Sequence, residues 1–272
     1  MKRGPATGAL GLIYALTVLF LLLPLVVGVA YAFNTGMMGK QVTRFTGLTL
    51  AWFPAAWNDL SLRRAVWASL VSASWVAVLS LAVGAMLGHA MVRHPSVTVR
   101  RVLSGLSYTL LIVPESVLGV SLLLFYAETG VPLGMATLVA GITPVEIAVV
   151  ALIVRARLLT LDPAIEAAAA DLGAGPLRVL WLIVLPQLAP ALAAAGVMAW
   201  TFAFDNVVIA SFLATPQVST LAVYLYGSLH YGPSPAVFAA AAAVFGVTLV
   251  ALCLCLVLLA RARSLGKPAR AL

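Results

Sequence analysis

Apolar residues run through this chain in blocks too long for ordinary soluble helices, and the polar residues collect between them. Six blocks reach the roughly 20 residues a helix needs to cross a bilayer. They predict membrane helices over 9–33, 65–92, 102–127, 135–154, 188–213 and 236–260. One long segment between blocks is too polar and too punctuated for lipid: 162–190, DPAIEAAAADLGAGPLRVLWLIVLPQLAP. Asp162 is suited to an N-cap and Pro163 to the first helical position, where no amide hydrogen is needed. An Ala-rich run follows, with Glu166 in the first turn where the helix dipole favours an acid. Gly173 predicts the stop, and Gly175-Pro176 a turn and restart. From Pro176 a second short helix places Leu177, Leu180, Trp181 and Val184 on one face at i, i+3, i+4, i+7. Pro186 and Pro190 are expected to interrupt it before the next block. Helix, glycine turn, helix is a shape suited to docking. A plain amphipathic linker between two spans is the alternative.

Composition narrows the class. Of 272 residues, 63% are hydrophobic and only 9% charged, which excludes a soluble globular domain. Lys2-Arg3 before the first block and Ala30-Tyr31-Ala32 near its end are features of a signal peptide. The apolar run is too long for one, so an uncleaved anchor is expected. The net charge of +8 works as a topology signal. Lys2, Arg3, Arg93, Arg100, Arg101, Arg155, Arg157, Arg178, Arg261, Arg263, Lys267 and Arg270 fall on one side of the six-span arrangement; Lys40, Arg44, Arg63 and Arg64 fall on the other. Twelve against four puts both termini, and the 162–187 loop, in the cytoplasm. The charges flank spans and form no basic stripe with interleaved aromatics, so nucleic acid is not a partner. Trp52, Trp57 and Trp67 predict an interfacial aromatic belt. Cys253 and Cys255, two residues apart, lie on different helix faces and support neither a disulfide nor a metal site.

Candidate chemistry lies inside the spans. Glu115, Glu146 and Asp205 fall within them, while no Lys or Arg lies well inside any. An acid at a helix centre costs on the order of 2.5–3.5 kcal/mol on insertion scales, so such residues usually face a cavity or a partner. Carboxylates of one sign favour passage of a cation. The alternative, that each acid is protonated or hydrogen-bonded to a neighbouring helix or partner chain, stays open. Pro114 loosens its helix, Gly84-Ala85 and Gly88 permit close packing in lipid, and His89 reads as a satisfied core histidine. An amphipathic helix is expected near 220–231, with Leu221, Tyr224, Leu225, Ser228 and Leu229 on one face. No phosphate-binding G-x-x-x-x-G-K-[ST] loop and no catalytic constellation occur.

The 162–190 segment resembles the EAA loop of ABC-importer permeases: Glu-Ala-Ala, three residues, Gly, nine residues, Ile, one residue, Leu-Pro. Gly173, Ile183, Leu185 and Pro186 hold the second half of that spacing. In the first half the family glutamate falls on Ala167, with Ala168 and Ala169 as its alanines, and the acid stands at Glu166 instead. Around it, Ala170 to Ala174 is similar to the spermidine/putrescine branch. So are Pro114-Glu115 with Leu118 to Phe125, Val154 to Leu158, and Phe202 to Phe212, in which Asp205-Asn206 replaces two adjacent acids. The chain is thereby identified as a member of the binding-protein-dependent (type I) permeases. The resemblance implies an all-α, six-span permease fold in a bacterial inner membrane. Residues 1–64 would form the N-terminal membrane helix and outer loop. Residues 65–260 would form the transporter core with its coupling loop over 155–187, and 261–272 a basic cytoplasmic tail. It implies partners as well: a separate ATPase in two copies, a second permease, and a periplasmic or lipid-anchored binding protein, with lipid around the spans and no cofactor. Asp162, Glu166, Ala167, Ala168, Asp171, Gly173, Ala174, Gly175, Ile183, Leu185 and Pro186 would couple to the ATPase. Glu115, Glu146 and Asp205 would line a polyamine path. Another small solute, or an ion-coupled secondary transporter built around Pro114-Glu115, is the alternative.

Overall fold

A computed structural model describes residues 5–37, 44–230 and 234–246. Among these the fold is helical. In chain order the elements are α1 (Pro5–Ala32), α2 (Trp52–Asn58), α3 (Leu60–Arg93), α4 (Val97–Ile112), α5 (Glu115–Thr129), α6 (Met135–Leu158), α7 (Pro163–Asp171), α8 (Pro176–Val179), a π-helical turn (Leu180–Val184), α9 (Leu185–Asp205), α10 (Val208–Leu213) and α11 (Leu221–His230). An apolar helix over Pro235–Gly246, α12, completes the described chain. Among the described residues, four helices are long and apolar enough to cross a membrane: Leu10–Ala32, Leu60–Arg93, Met135–Leu158 and Pro176–Asp205. A fifth candidate is the pair α4 and α5, bent by 96° at its break. The sixth expected span leaves the described residues after Gly246, and Cys253, Cys255, the basic tail and the N-terminal Lys2-Arg3 also lie outside them.

Two compact units divide the chain, Met1–Leu60 with Gly227–Leu272, and Ser61–Tyr226. In the first, α1 leaves its apolar side chains outward, as Phe20 (74% exposed) illustrates, which only lipid or a partner makes tolerable. Fully buried Asn34 then organises the loop. Its Oδ1 accepts from Thr46 N (2.8 Å) and Oγ1 (3.0 Å), its Nδ2 donates to Arg44 O (3.2 Å), and Trp52 Nε1 donates to its carbonyl (3.0 Å).

In the second unit α6 is the central helix. Its first half joins Ala73, Val76, Tyr126, Ala203 and Leu213 in one cluster, and its second half joins Val179, Val184, Leu188, Ala195 and Ala199 in another. Lipid tails are as apolar as leucine, so these helices are held by close packing and hydrogen bonds. The α3–α6 seam shows how close. A Cβ on Gly84 would lie 2.7 Å from Val150 Cβ, and one on Gly88 2.5 Å from Ala151 O and 2.8 Å from Val154 Cβ. Four residues along α3 match four along α6, so the two helices run parallel. Buried Ser69 Oγ accepts from Leu221 N at 2.8 Å, and Ser80 Oγ donates to Thr143 O at 3.5 Å.

Several expectations are corrected. The 102–127 span is broken: Val113 is extended (ψ 128°) and Pro114, lacking an N–H, cannot carry the ladder on. The 188–213 span breaks at Asn206 and starts earlier, because Pro186 and Pro190 do not interrupt the helix. Before Pro186 the ladder widens, with Leu185 N donating to Leu180 O, and the proline falls in the first turn of α9. That widening also shifts the face. Val179, Val184 and Leu188 are buried, while Leu177 (71%) and Trp181 (67%) point outward. The expected loop up to Arg64 contains α2 and the start of α3, so Arg63 and Arg64 are helical. In α11, Ala222 is buried and Leu229 is exposed.

The seam makes a stability prediction. Gly88→Ala sets a methyl against the Ala151 carbonyl and costs about 1–3 kcal/mol by overpacking. Gly105→Ala meets open space. The apparent melting midpoint of the purified full chain in detergent should fall for the first and hold or rise slightly for the second.

Candidate functional site

Below α6 the chain turns at Thr160 and enters α7 as the local chemistry dictates. Asp162 Oδ1 accepts from Ala164 N at 2.9 Å, and Pro163 occupies the first helical position. The helix ends where Gly173 adopts φ +85°, with Gly173 N donating to Ala170 O (2.9 Å) and Ala174 N to Ala169 O (3.0 Å). This left-handed stop is nearly free for glycine and strained for a residue with a Cβ. Gly175 then caps α8 at Pro176. One face of the hairpin is anchored, with Ala169, Ala174 and Ile183 against the cluster that holds Val154 and Leu158. The other is free: Ala167, Ala168, Asp171 and Gly175 are exposed, and α7 has no buried residue. Leu185 is half-buried and Pro186 exposed.

Glu166 does more than complement its helix dipole. Arg93, the last residue of α3, donates to Glu166 Oε1 from Nε (3.0 Å) and Nη2 (2.6 Å). Each side chain is 22% exposed, so this pair is better shielded than a surface salt bridge. Sequence reading missed Arg93 as a site residue, because the partners lie 73 positions apart. One turn earlier, His89 is not a satisfied core histidine: its Nδ1 is buried and has no hydrogen-bond partner among the described residues.

The acids inside the apolar helices come together. Glu115, Glu146 and Asp205 line one cavity of about 530 Å³, with Asn206 beside them and no lysine or arginine in its wall. Two helix breaks form much of that wall. Glu115 is the first residue of α5, and Asp205 the last of α9. Asn206 joins the breaks: its Nδ2 donates to Glu115 Oε2 (3.1 Å) and its Oδ1 accepts from Ala210 N (3.2 Å). The three carboxylates differ in environment. Glu146 is buried at 3% exposure, Glu115 half-buried and Asp205 exposed, so only one of the three expected buried acids is fully buried. Glu146 Oε2 accepts no hydrogen bond from the described residues. Such a one-signed wall suits cationic groups.

Comparison with known proteins gives one answer. The family described as "Binding-protein-dependent transport system inner membrane component" matches residues 80–264. The chain is 31% identical over 236 residues to the putrescine transport system permease protein PotI of Escherichia coli (strain K12), covering 84% of this chain and 82% of that one. It is 29% identical over 231 residues to the spermidine/putrescine transport system permease protein PotC of the same strain, covering 85% and 86%. Among solved structures it resembles a bacterial ABC transporter involved in the import of the acidic polysaccharide alginate, with TM-score 0.64 and 17% identity over 94% of this chain and 98% of that one. It also resembles the MetNI methionine ABC transporter in inward-facing form, with TM-score 0.57 and 22% identity over 73% and 92%.

The Arg93–Glu166 pair is testable on the isolated chain. Arg93→Gln and Glu166→Gln should each speed amide exchange across Pro163–Asp171, and a double-mutant cycle should give a coupling of about 1 kcal/mol. The charge swap Arg93→Glu with Glu166→Arg should recover part of the protection.

Proposed function

The chain belongs to the binding-protein-dependent transport system inner membrane components, a permease subunit of an ABC importer, and on that premise we propose that it carries polyamines into the cytoplasm. One observation carries the substrate reading: Glu115, Glu146 and Asp205 converge on a single cavity whose wall holds no basic residue. A polyamine is a flexible polycation, and carboxylates spaced along a path offer its ammonium groups successive partners. The likeness to putrescine and spermidine/putrescine permeases supports the same reading.

The polypeptide crosses the membrane six times with both termini inside, a reading that the twelve-to-four split of basic residues supports. A second permease and two copies of an ATPase complete the channel and its motor, and a periplasmic or lipid-anchored binding protein delivers substrate. ATP is hydrolysed on the separate subunit. The exposed face of α7, with Asp162, Ala167, Ala168, Asp171 and Gly175, docks on the ATPase. Ala174 and Ile183 hold the docking helix to the membrane domain, Leu185 and Pro186 start the helix that leads back into it, and closure of the ATPase pair drives alternating access.

Uptake of radiolabelled putrescine and spermidine by the reconstituted importer tests the substrate path. Glu115→Gln and Asp205→Asn should each lower uptake at least tenfold while assembly and basal ATP hydrolysis persist. Normal uptake by the double variant, or selective uptake of an anionic solute by the wild type, overturns it. Coupling has its own test. Gly173→Leu forces a branched side chain to φ +85° at about 1–2 kcal/mol and should reduce transport-coupled ATP hydrolysis. Gly173→Asn, which tolerates the left-handed conformation, should retain most of it.

A further inference from the structure

A second cavity, of about 490 Å³, opens where α3 and α6 end and α4 begins. Arg100, Arg101 and Arg155 line it with Tyr108 and Ser104, and no acid does. Glu166, paired with Arg93 at the same end of α3, is not in its wall. Two of the guanidiniums are oriented by neutral groups. Arg155 Nη1 donates to the Tyr108 hydroxyl at 2.8 Å, reaching from α6 to α4, and Arg100 Nη1 donates to the Val92 carbonyl at 3.4 Å. Neither bond cancels a charge. The first turn of α4 contains no acid, so Arg100 and Arg101 sit just inside the positive end of a 16-residue helix. Three cations and a helix dipole of the same sign leave this cavity short of one anion.

Its position says which anion. The apolar stretch of α6 gives way at Arg155, and that of α3 at Arg93, so the cavity lies where hydrocarbon ends and headgroups begin. Val97 and Leu159 in its wall are 48% and 63% exposed, and Ile112, one turn beyond Tyr108 on the same face of α4, is 79% exposed, so an apolar surface continues from the basic one. We infer that this cavity binds the phosphate headgroup of an anionic phospholipid, with the guanidiniums on the phosphate oxygens and the acyl chains along α4. Arginine suits this role because its planar fork matches phosphate geometry. The site is separate from the acidic cavity and from the exposed face of α7, and it would set the lipid requirement of the protein.

Native mass spectrometry of the purified full chain in detergent reads this directly. The chain is titrated with phosphatidylglycerol, with phosphatidylcholine of identical acyl chains, or with inorganic phosphate. Phosphatidylglycerol should be retained and phosphatidylcholine should not, and inorganic phosphate at equal concentration should fail to displace the lipid. At roughly fivefold per guanidinium, Arg100→Gln with Arg101→Gln and Arg155→Gln should weaken retention on the order of a hundredfold. Arg101→Gln or Arg155→Gln alone should weaken it about fivefold, which serves if the triple variant fails to insert. Arg178→Gln, on α8 and outside the cavity, should leave retention unchanged. Equal retention of the two lipids, indifference to the arginine substitutions, or displacement by inorganic phosphate overturns the inference. So does complete loss of the lipid when the ATPase binds, which would mark the cavity as a protein interface. No arm reads polyamine transport, so either proposal can fail alone.

Discussion

Inside a bilayer no water is available to satisfy a freed backbone amide or carbonyl, so a helix can break only where protein or an aqueous cavity takes over. Among the described residues the helices break twice within apolar sequence, at Val113-Pro114 and at Asn206-Val207, and the two breaks serve each other. Pro114 has no N–H to satisfy, and its carbonyl accepts from Val117 N at 2.9 Å. Asn206 bridges the gap by giving its amide to Glu115 and taking the Ala210 N–H on its carbonyl oxygen. Because both breaks must be covered at the same depth, they fix where the carboxylate-lined cavity lies. The cavity is therefore a consequence of backbone bookkeeping as much as of the acids themselves.

The acids do not all sit comfortably. Glu115 opens α5, where the positive end of the helix dipole favours it, and the Asn206 amide adds a hydrogen bond. Asp205 closes α9, where the dipole is negative and a carboxylate is disfavoured by a few tenths of a kcal/mol to about 1 kcal/mol. Glu146 occupies the middle of α6 with one oxygen buried and unpartnered by the described residues. A single cation among them would relieve the second and third at once. A stability role accounts for Glu115 alone, whereas the proposed cation path accounts for the set.

Much of the 162–187 segment was legible because its rules are local. A side-chain cap at Asp162, proline at the first position of α7 and the left-handed stop at Gly173 each depend on a few neighbouring residues. The α3–α6 seam was legible for a similar reason, since small residues at 84, 85 and 88 have one main use in lipid. What sequence could not reveal was non-local or hidden in hydropathy. The 102–127 block is apolar across its break, so a 96° bend leaves no trace in a hydropathy profile. The π-helical turn before Pro186 moved Leu177 and Trp181 off the buried face, because periodicity assumes an unbroken ladder. Arg93 finds Glu166 across 73 residues, and Asn206, noted only as a departure from an acidic pair, bridges two breaks.

These contacts also set the mechanical requirements of the proposed coupling. A push arriving at α7 meets the Arg93–Glu166 pair, which ties α7 to the end of α3. From there α3 is locked to α6 by a seam with no room for a methyl group at Gly88. Packed interfaces of this kind transmit displacement because they are poorly compressible. On α6 the next chemistry along the axis is Glu146, in the wall of the acidic cavity. The opposite wall is built from the end of α4, Glu115 at the start of α5, the end of α9 and the start of α10, with breaks at 113–114 and 205–207 that interrupt the helical ladder. A closely packed body carrying Glu146 thus faces a wall of broken helices carrying Glu115 and Asp205. In the proposed mechanism, relative motion between them would change the spacing of the carboxylates, the variable that for a flexible polycation separates holding from release.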